Sequence, residues 1–130
     1  MWLISPDFGL VSIVAHRNQP GHLLVRGRDH AHLRELQVRH PDLLGTVAIE
    51  STPNADYGCR FAPVTAELMA EVLRREALVI RYDNVKAEAA RRWGHSSPFV
   101  AAMHACWSAL RRLQRPFQRD LLDDNLDGLR

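Results

Sequence analysis

The first 28 residues contain three short apolar segments separated by two turn signals, and this pattern most constrains the fold. The segments are residues 2–4, 8–15 and 23–28. Residues 5–7 (Ser-Pro-Asp) and 18–21 (Asn-Gln-Pro-Gly) lie between them and have the composition that turns favour. Short apolar runs bounded by such turns are typical of neighbouring strands. The sequence therefore predicts an antiparallel meander of three strands.

The segment after the meander alternates between helix and strand signals. Asp29 is a favoured N-cap, and a helix from there ends before Pro41 because proline excludes the helical conformation from the residue that precedes it. Residues 46–50 and 57–61 are predicted strands joined by a polar turn. Pro63 suits the first turn of the next helix. The middle of the chain thus adds a helix, two strands and a second helix.

A third helix is predicted after an ambiguous stretch. Residues 77–81 fit either the end of the second helix or a short edge strand. Asp83 or Asn84 can cap the third helix, which ends near Trp93 because Gly94 follows in the position that glycine prefers after a helix.

The last predicted helix begins after Ser96 or Ser97, has Pro98 in its first turn and extends to about Arg115. At 100° per residue its apolar side chains lie within one arc, which predicts a buried face. That face consists of Phe99, Met103, Cys106, Trp107, Leu110 and Leu113.

This order of elements predicts an α+β fold. We expect a two-layer sandwich in which an antiparallel sheet of about five strands carries helices on one face, with a ferredoxin-like variant as an alternative. Residues 1–116 are predicted to form a single domain, a normal size for one hydrophobic core. Residues 117–130, with two arginines against four aspartates, are predicted to form a flexible acidic tail.

Composition excludes several functional classes. The net charge of +2 is too small to indicate nucleic acid by itself, although 16 of the 17 basic residues are arginine, which favours two-point contacts with carboxylates or phosphates. The two cysteines indicate neither a disulfide framework nor a zinc ribbon. No secretion signal and no membrane-spanning stretch is recognised, so we expect a cytoplasmic protein.

Known catalytic and cofactor motifs are also missing from the sequence. It has no Gly-x-Ser-x-Gly, no phosphate-binding Walker loop and no Gly-x-Gly-x-x-Gly. We therefore predict no cofactor and no catalytic residue, and an enzyme is the less favoured interpretation.

Aromatic, basic and apolar residues spread over residues 2–114 carry a family resemblance. They are Trp2-Leu-Ile, Phe8, Ser12-Ile-Val, Arg26, Arg28, Asp56, Tyr57, Arg60, Tyr82, Asn84, Lys86, Trp107, Leu110, Leu113 and Gln114. In this combination the chain resembles a family of short, uncharacterised bacterial and phage proteins. The resemblance implies an accessory role linked to phages or mobile elements, and it implies no activity.

The first candidate site is a polar set that two predicted strands and a helix start could bring together. If an edge strand at 79–82 lies near strand 23–28, these side chains converge on an anion-binding surface for a phosphate or an acidic protein patch. The set consists of Arg26, Arg28, Tyr57, Arg60, Arg81, Tyr82, Asp83, Asn84 and Lys86. The alternative interpretation is a structural cluster of helix caps and solvated arginines.

Two other sets support alternative functions. An arginine stripe could follow a phosphate backbone, although exposed aromatic residues between the arginines are missing. The stripe consists of Arg91, Arg92, Arg111, Arg112 and Arg115. Among the seven histidines, His30 and His32 could serve a metal-dependent phosphodiester hydrolase, but no metal-binding spacing is present, and we predict no metal site.

We therefore rank three functions. The first is a non-enzymatic accessory protein that binds another protein, or a second copy of itself, through a sheet edge or a helix face. Nucleic-acid binding through the arginine stripe is second, and hydrolysis of a phosphodiester is third. No membrane partner is expected.

Overall fold

The computed structural model describes residues 1–114 and confirms the α+β class. All strand pairs are antiparallel and form one sheet in the order β1-β2-β3-β5-β4, with β6 pairing with β3 beyond the end of β5. The strands are β1 (Trp2–Ser5), β2 (Gly9–Ala15), β3 (His22–Gly27), β4 (Ile49–Ser51), β5 (Cys59–Phe61) and β6 (Val64–Thr65). The predicted meander is therefore confirmed as β1, β2 and β3.

Five helices complete the described part of the chain, and side chains cap the N-termini of the four longer ones. Asp29, Thr65, Asn84 and Ser97 each accept a hydrogen bond from a backbone N–H of the first turn, which satisfies a donor that the helix itself cannot. The helices are α1 (His30–Arg39), α2 (Pro41–Leu44), α3 (Ala66–Leu78), α4 (Val85–Trp93) and α5 (Pro98–Arg111).

The main core lies between one face of the sheet and the helices α1 and α3. Because side chains alternate along a strand, Val11 and Val25 point into this core while their neighbours point to the opposite face. Leu33 and Leu36 of α1, with Met69 and Val72 of α3, fill the space above the sheet. This layer is the helical half of the predicted sandwich.

The helices α4 and α5 form a second, smaller core at the end of the sheet that carries the β1–β2 turn. Ala89 and Ala90 of α4 pack against Val100 and Met103 of α5. The first half of α5 lies over the outer face of the sheet, where its side chains share a small cavity with Ile4 and Leu10. The helices thus occupy both faces rather than one.

Several predicted boundaries need correction. The helix predicted to open at Pro63 begins at Ala66, because Val64 and Thr65 first pair with β3. No strand forms at residues 79–82 within the described chain. The sheet does not follow the ferredoxin-like pattern, since three strands precede the first helix. The predicted tail at 117–130 lies outside the described residues.

The predicted buried face of the last helix is only partly buried. Val100 and Met103 lie in the small core, but Trp107, Leu110 and Leu113 are exposed and belong to neither core cluster. Cys106, predicted to be buried, is also exposed. None of the helices between residues 1 and 114 has the length and apolarity that crossing a bilayer requires.

Candidate functional site

A row of side chains crosses the outer face of the sheet, one from each of five strands. The strand registers place Trp2 beside Ser12, Ser12 beside Arg26, Arg26 beside Arg60, and Arg60 beside Glu50. Arg26 donates a hydrogen bond to Oγ of Ser12 at 2.9 Å, and Arg60 donates one to Glu50 at 2.9 Å. Arg26 and Arg60, both predicted site residues, are therefore direct cross-strand neighbours.

Tyr57 joins this row from the loop that precedes β5. Its ring is buried, and the guanidinium carbons of Arg26 and Arg28 lie 4.4 and 4.5 Å from its centroid, which is cation–π distance. Arg28 also donates to the backbone oxygen and the carboxylate of Asp56. Thr52 Oγ1 donates to the Tyr57 carbonyl at 2.6 Å and holds the loop closed. We name Arg26, Arg28, Tyr57 and Arg60 the arginine face.

The other predicted residues do not reach the arginine face. The strand β3 is paired with β2 on one side and with β5 and β6 on the other, so residues 79–82 have no free edge of β3 beside which to lie. Tyr82 instead lines a cavity beside β1. Asn84 caps α4, and Asp83 is exposed next to it. The structure thus keeps four residues of the predicted set together and places the other five elsewhere.

Arg81 belongs to an ion network around the buried Asp7, and no pattern in the sequence predicted this network. Asp7, in the β1–β2 turn, has a side chain only 3% exposed. Nitrogen atoms of Arg39, Arg81 and Arg92 lie 3.8, 3.8 and 3.9 Å from its carboxylate oxygens. These arginines come from α1, from the segment before α4, and from α4, so Asp7 links the turn to three other parts of the fold.

Glu76 of α3 forms the second centre of this network. It accepts two hydrogen bonds from Arg39, at 2.7 and 2.8 Å, and Nε2 of His40 lies 2.6 Å from its Oε1. Burial opposes ionisation of Glu76, but the hydrogen bonds from Arg39 and His40 outweigh it and hold the pKa of Glu76 below its usual range. A cavity of about 490 Å³ opens beside Arg39, His40 and Glu76. The charges around it are already paired with one another, which indicates a structural role.

The exposed end of α5 carries an apolar surface with a basic border. Trp107 is 43% exposed, Leu110 61% and Leu113 72%. Nζ of Lys86 lies 3.4 Å from the centroid of a Trp107 ring, and the guanidinium of Arg111 lies 5.1 Å from it. We name Lys86, Cys106, Trp107, Leu110, Arg111 and Leu113 the α5 face. The helical period revealed this arc, but its exposure follows only from the position of α5.

The described arginines of the predicted stripe contact different partners and do not form one continuous surface. Arg91 makes a two-point contact with Glu88, and Arg92 pairs with Glu35 of α1 as well as approaching Asp7. Arg111 lies beside Trp107 on the α5 face, and Arg112 is exposed at the end of the helix. Arg115 lies outside the described residues.

The histidines do not assemble a metal site in the part of the chain that the structure describes, where no group of three His, Cys, Asp or Glu side chains could hold an ion. His30 is exposed, whereas His32 is buried between the rings of Trp93 and Phe99. Burial lowers the pKa of His32, an effect that outweighs the opposing influence of the Asp29 carboxylate. The two histidines therefore do not share a surface.

No family model, no curated protein and no solved structure matches the chain. The resemblance to short bacterial and phage proteins stays a prediction, and the proposals that follow depend on the geometry of the described residues.

Proposed function

We propose that the chain is a protein-binding module whose docking surface is the α5 face. The observation that carries this proposal is the exposure of Trp107 and Leu110 on α5, and of Leu113 in the turn that follows, next to a first half of the helix that is anchored in a core. Scattered exposed apolar residues are ordinary, but large ones grouped on one surface typically mark an interaction site.

The α5 face supplies both contact area and rigidity. Each large apolar side chain stabilises a complex by roughly 1.5–3 kcal/mol if it becomes fully buried, and tryptophan is enriched among the residues that dominate interfaces. Val100 and Met103 fix the start of α5 in the small core, so little conformational freedom is lost on binding.

The basic border defines the chemistry of the partner. Lys86 and Arg111 both lie against Trp107, at the edge of the apolar residues. An amphipathic segment with apolar side chains and flanking carboxylates fits such a surface, because opposite charges at the rim accelerate association and select the orientation. In this proposal Lys86 contacts the partner, at a different surface from the one predicted from the sequence. Arg81 lies in the ion network around Asp7, so substituting it would test folding rather than recognition.

To test the proposal, negative charges are introduced into the apolar part of the α5 face. The double variant Leu110→Glu, Leu113→Glu should retain the fold, because both side chains are exposed, and should lose the partner. The control is Ala101→Glu, Ala105→Glu, which adds the same charges to exposed positions on the opposite side of α5.

The partner is identified first by a photo-crosslinking residue at position 110 in the native host, with the same residue at position 105 as the reference. Its affinity is then measured with purified components. We expect a loss of at least about a hundredfold for the Leu110, Leu113 variant, since two interface contacts are removed, and no change for the control. Equal affinities for the two variants would refute the proposal. Cross-linking of position 110 to a second copy, with a dimer in sedimentation, would identify the partner as the chain itself.

The nucleic-acid alternative has less support in the described residues, because Arg91 and Arg92 are already paired with glutamates. It predicts binding that weakens steeply with salt, since counterions are released on association. Titration of a labelled duplex and a labelled single strand at low and moderate salt separates it from the protein-binding proposal.

A further inference from the structure

We propose that the arginine face binds a phosphate-sized oxyanion through Arg26 and Arg60. This site lies on the outer face of the sheet, apart from the α5 face, and does not depend on the proposed protein-binding function. The inference follows from an unfavourable charge pair, an unused hydrogen-bond donor and the size of the cavity between them.

The two arginines form a pair that a sheet normally avoids. Arg26 and Arg60 are cross-strand partners on β3 and β5, so their side chains leave the same face side by side. Like charges directly opposite each other destabilise a sheet, whereas an anion between them would convert repulsion into two attractive contacts. Arg60 has Glu50 as a counterion, at 2.9 Å. Within residues 1–114 no carboxylate lies within salt-bridge distance of Arg26, and its charge is the one that an anion would neutralise.

The Arg26 side chain also has one hydrogen-bond donor without a partner in the described part of the chain. One terminal nitrogen donates to Ser12, which fixes the direction of the guanidinium. Its Nε is buried and finds no acceptor among the described residues. Leaving a charged donor buried without an acceptor is costly, and the planar arrangement of arginine donors matches two oxygens of a phosphate.

The cavity limits what the ligand can be. It has a volume of about 140 Å³ and is bordered by Arg26, Arg60, Tyr57 and Thr52. The carboxylate of Asp56 is also at its edge, but Arg28 binds and neutralises it. Tyr57 is buried and already contacts two guanidinium groups, so it offers no surface on which a base could stack. The ligand is therefore a single tetrahedral oxyanion, either free or as the terminal phosphoryl group of a small molecule.

The experiment uses the full chain and inorganic phosphate at constant ionic strength, with chloride as the balancing anion. Arginine Nε–H signals are followed by NMR, and the melting temperature is recorded across the same titration. The signal of Arg26 should shift in a saturable way, and phosphate should raise the melting temperature by mass action. Sulfate should compete for the same site. A glycerol phosphate ester in a parallel titration distinguishes the sources: tighter binding of the ester indicates a phosphorylated small molecule, and tighter binding of phosphate indicates the free ion.

Three single variants make the result specific. Arg26→Gln and Arg60→Gln should each weaken phosphate binding about ten- to a hundredfold, the range expected for loss of one charged hydrogen-bonding group. Arg34→Gln removes the same charge from an exposed position on α1 and should bind normally. Without phosphate, Arg26→Gln loses its bond to Ser12 and its contact with Tyr57 together with the repulsion from Arg60, so the melting temperature of each variant is recorded first and binding is compared only among folded variants. The response of the Arg26 signal in the wild type keeps the test valid if a variant folds poorly.

The proposal is wrong if the Arg26 signal does not respond to phosphate, or if Arg34→Gln weakens binding as much as Arg26→Gln does. Normal phosphate binding by the Leu110→Glu, Leu113→Glu variant would show that the arginine face and the α5 face act independently.

Discussion

Gly9 and His32 are in such close contact that no side chain fits between them. A Cβ added to Gly9 would lie 2.4 Å from Cδ2 of the His32 ring, and the backbone of Gly9 has a φ of 92°. Gly9→Ala should therefore lower the free energy of unfolding by about 3 kcal/mol, since it combines backbone strain with overpacking. Urea denaturation measures the loss.

Gly21 provides the matched control, because its φ is 74° and no atom lies within 4 Å of an added Cβ. Gly21→Ala should lose only the backbone strain, about 1 kcal/mol. Equal losses at the two glycines would mean that contact with His32 contributes nothing.

His32 should make stability depend on pH. Burial lowers its pKa below the ordinary 6.5, and its Nδ1 accepts a hydrogen bond from Leu10 N–H, which a proton on that atom would break. Between the folded pKa and 6.5 the unfolded chain binds more protons, so the stability from neutral His32 is present above 6.5 and is lost as the pH falls below it. The slope attributable to one histidine is at most about 1.4 kcal/mol per pH unit. Unfolding curves of the wild type and His32→Gln should converge as the pH falls; parallel pH profiles would exclude this role.

Asp7 should contribute more to stability than an exposed aspartate does. Asp7→Asn removes the buried charge that faces Arg39, Arg81 and Arg92, while Arg39 keeps its contact with Glu76 and Arg92 its contact with Glu35. We therefore expect a loss of roughly 1–3 kcal/mol in the free energy of unfolding, the range for a buried polar group that loses its charged contacts. Asp42→Asn makes the same chemical change at a side chain 57% exposed, where solvent screens the ion pair with Arg75 and the loss should be clearly smaller. Similar losses for the two variants would show that Asp7 does not organise the network.

The two cysteines should differ in reactivity. Cys106 is exposed on the α5 face, whereas Cys59 is buried and burial raises its thiol pKa. A maleimide should add once to the native protein, at Cys106, and twice in denaturant, as read by intact mass. Cys106→Ser should abolish the fast addition. Bound partner should protect Cys106, and rapid labelling of Cys59 in the native state would contradict the buried position of β5.

Local signals explain which elements were predictable. Asp29 and the pair of possible caps at 83–84 were recognisable because a capping side chain acts on the helix that it precedes. The structure confirms Asn84 and, for the last helix, Ser97. The period of the last helix likewise identified its apolar arc correctly. What covers that arc depends on where α5 packs in the fold, and periodicity carries no information about this position.

The ion network around Asp7, in contrast, could not be predicted from local signals. Asp7 and Arg39 are 32 positions apart, and Arg92 is farther still, so no spacing rule connects them. Their meeting depends on the strand order and on how α4 docks against the β1–β2 turn. The division of the predicted binding set has the same origin, because the sequence did not reveal that β3 is paired on both sides. Arg26 and Arg60 were brought together by register alone.

The small core of α4 and α5 has a consequence for how the molecule unfolds. Beyond that core, the helix pair is joined to the rest by the bond from Trp93 Nε1 to the Pro6 carbonyl at 2.8 Å, by Arg92 with Glu35 and Asp7, by the ring of His32, and by the α5 side chains beside Ile4 and Leu10. Because these links are few, we expect the helix pair to unfold as a separate cooperative unit while the sheet stays intact. Amide hydrogens of α4 and α5 would then exchange before those of β2 and β3, and a ligand held on α5 would slow that exchange without touching the sheet.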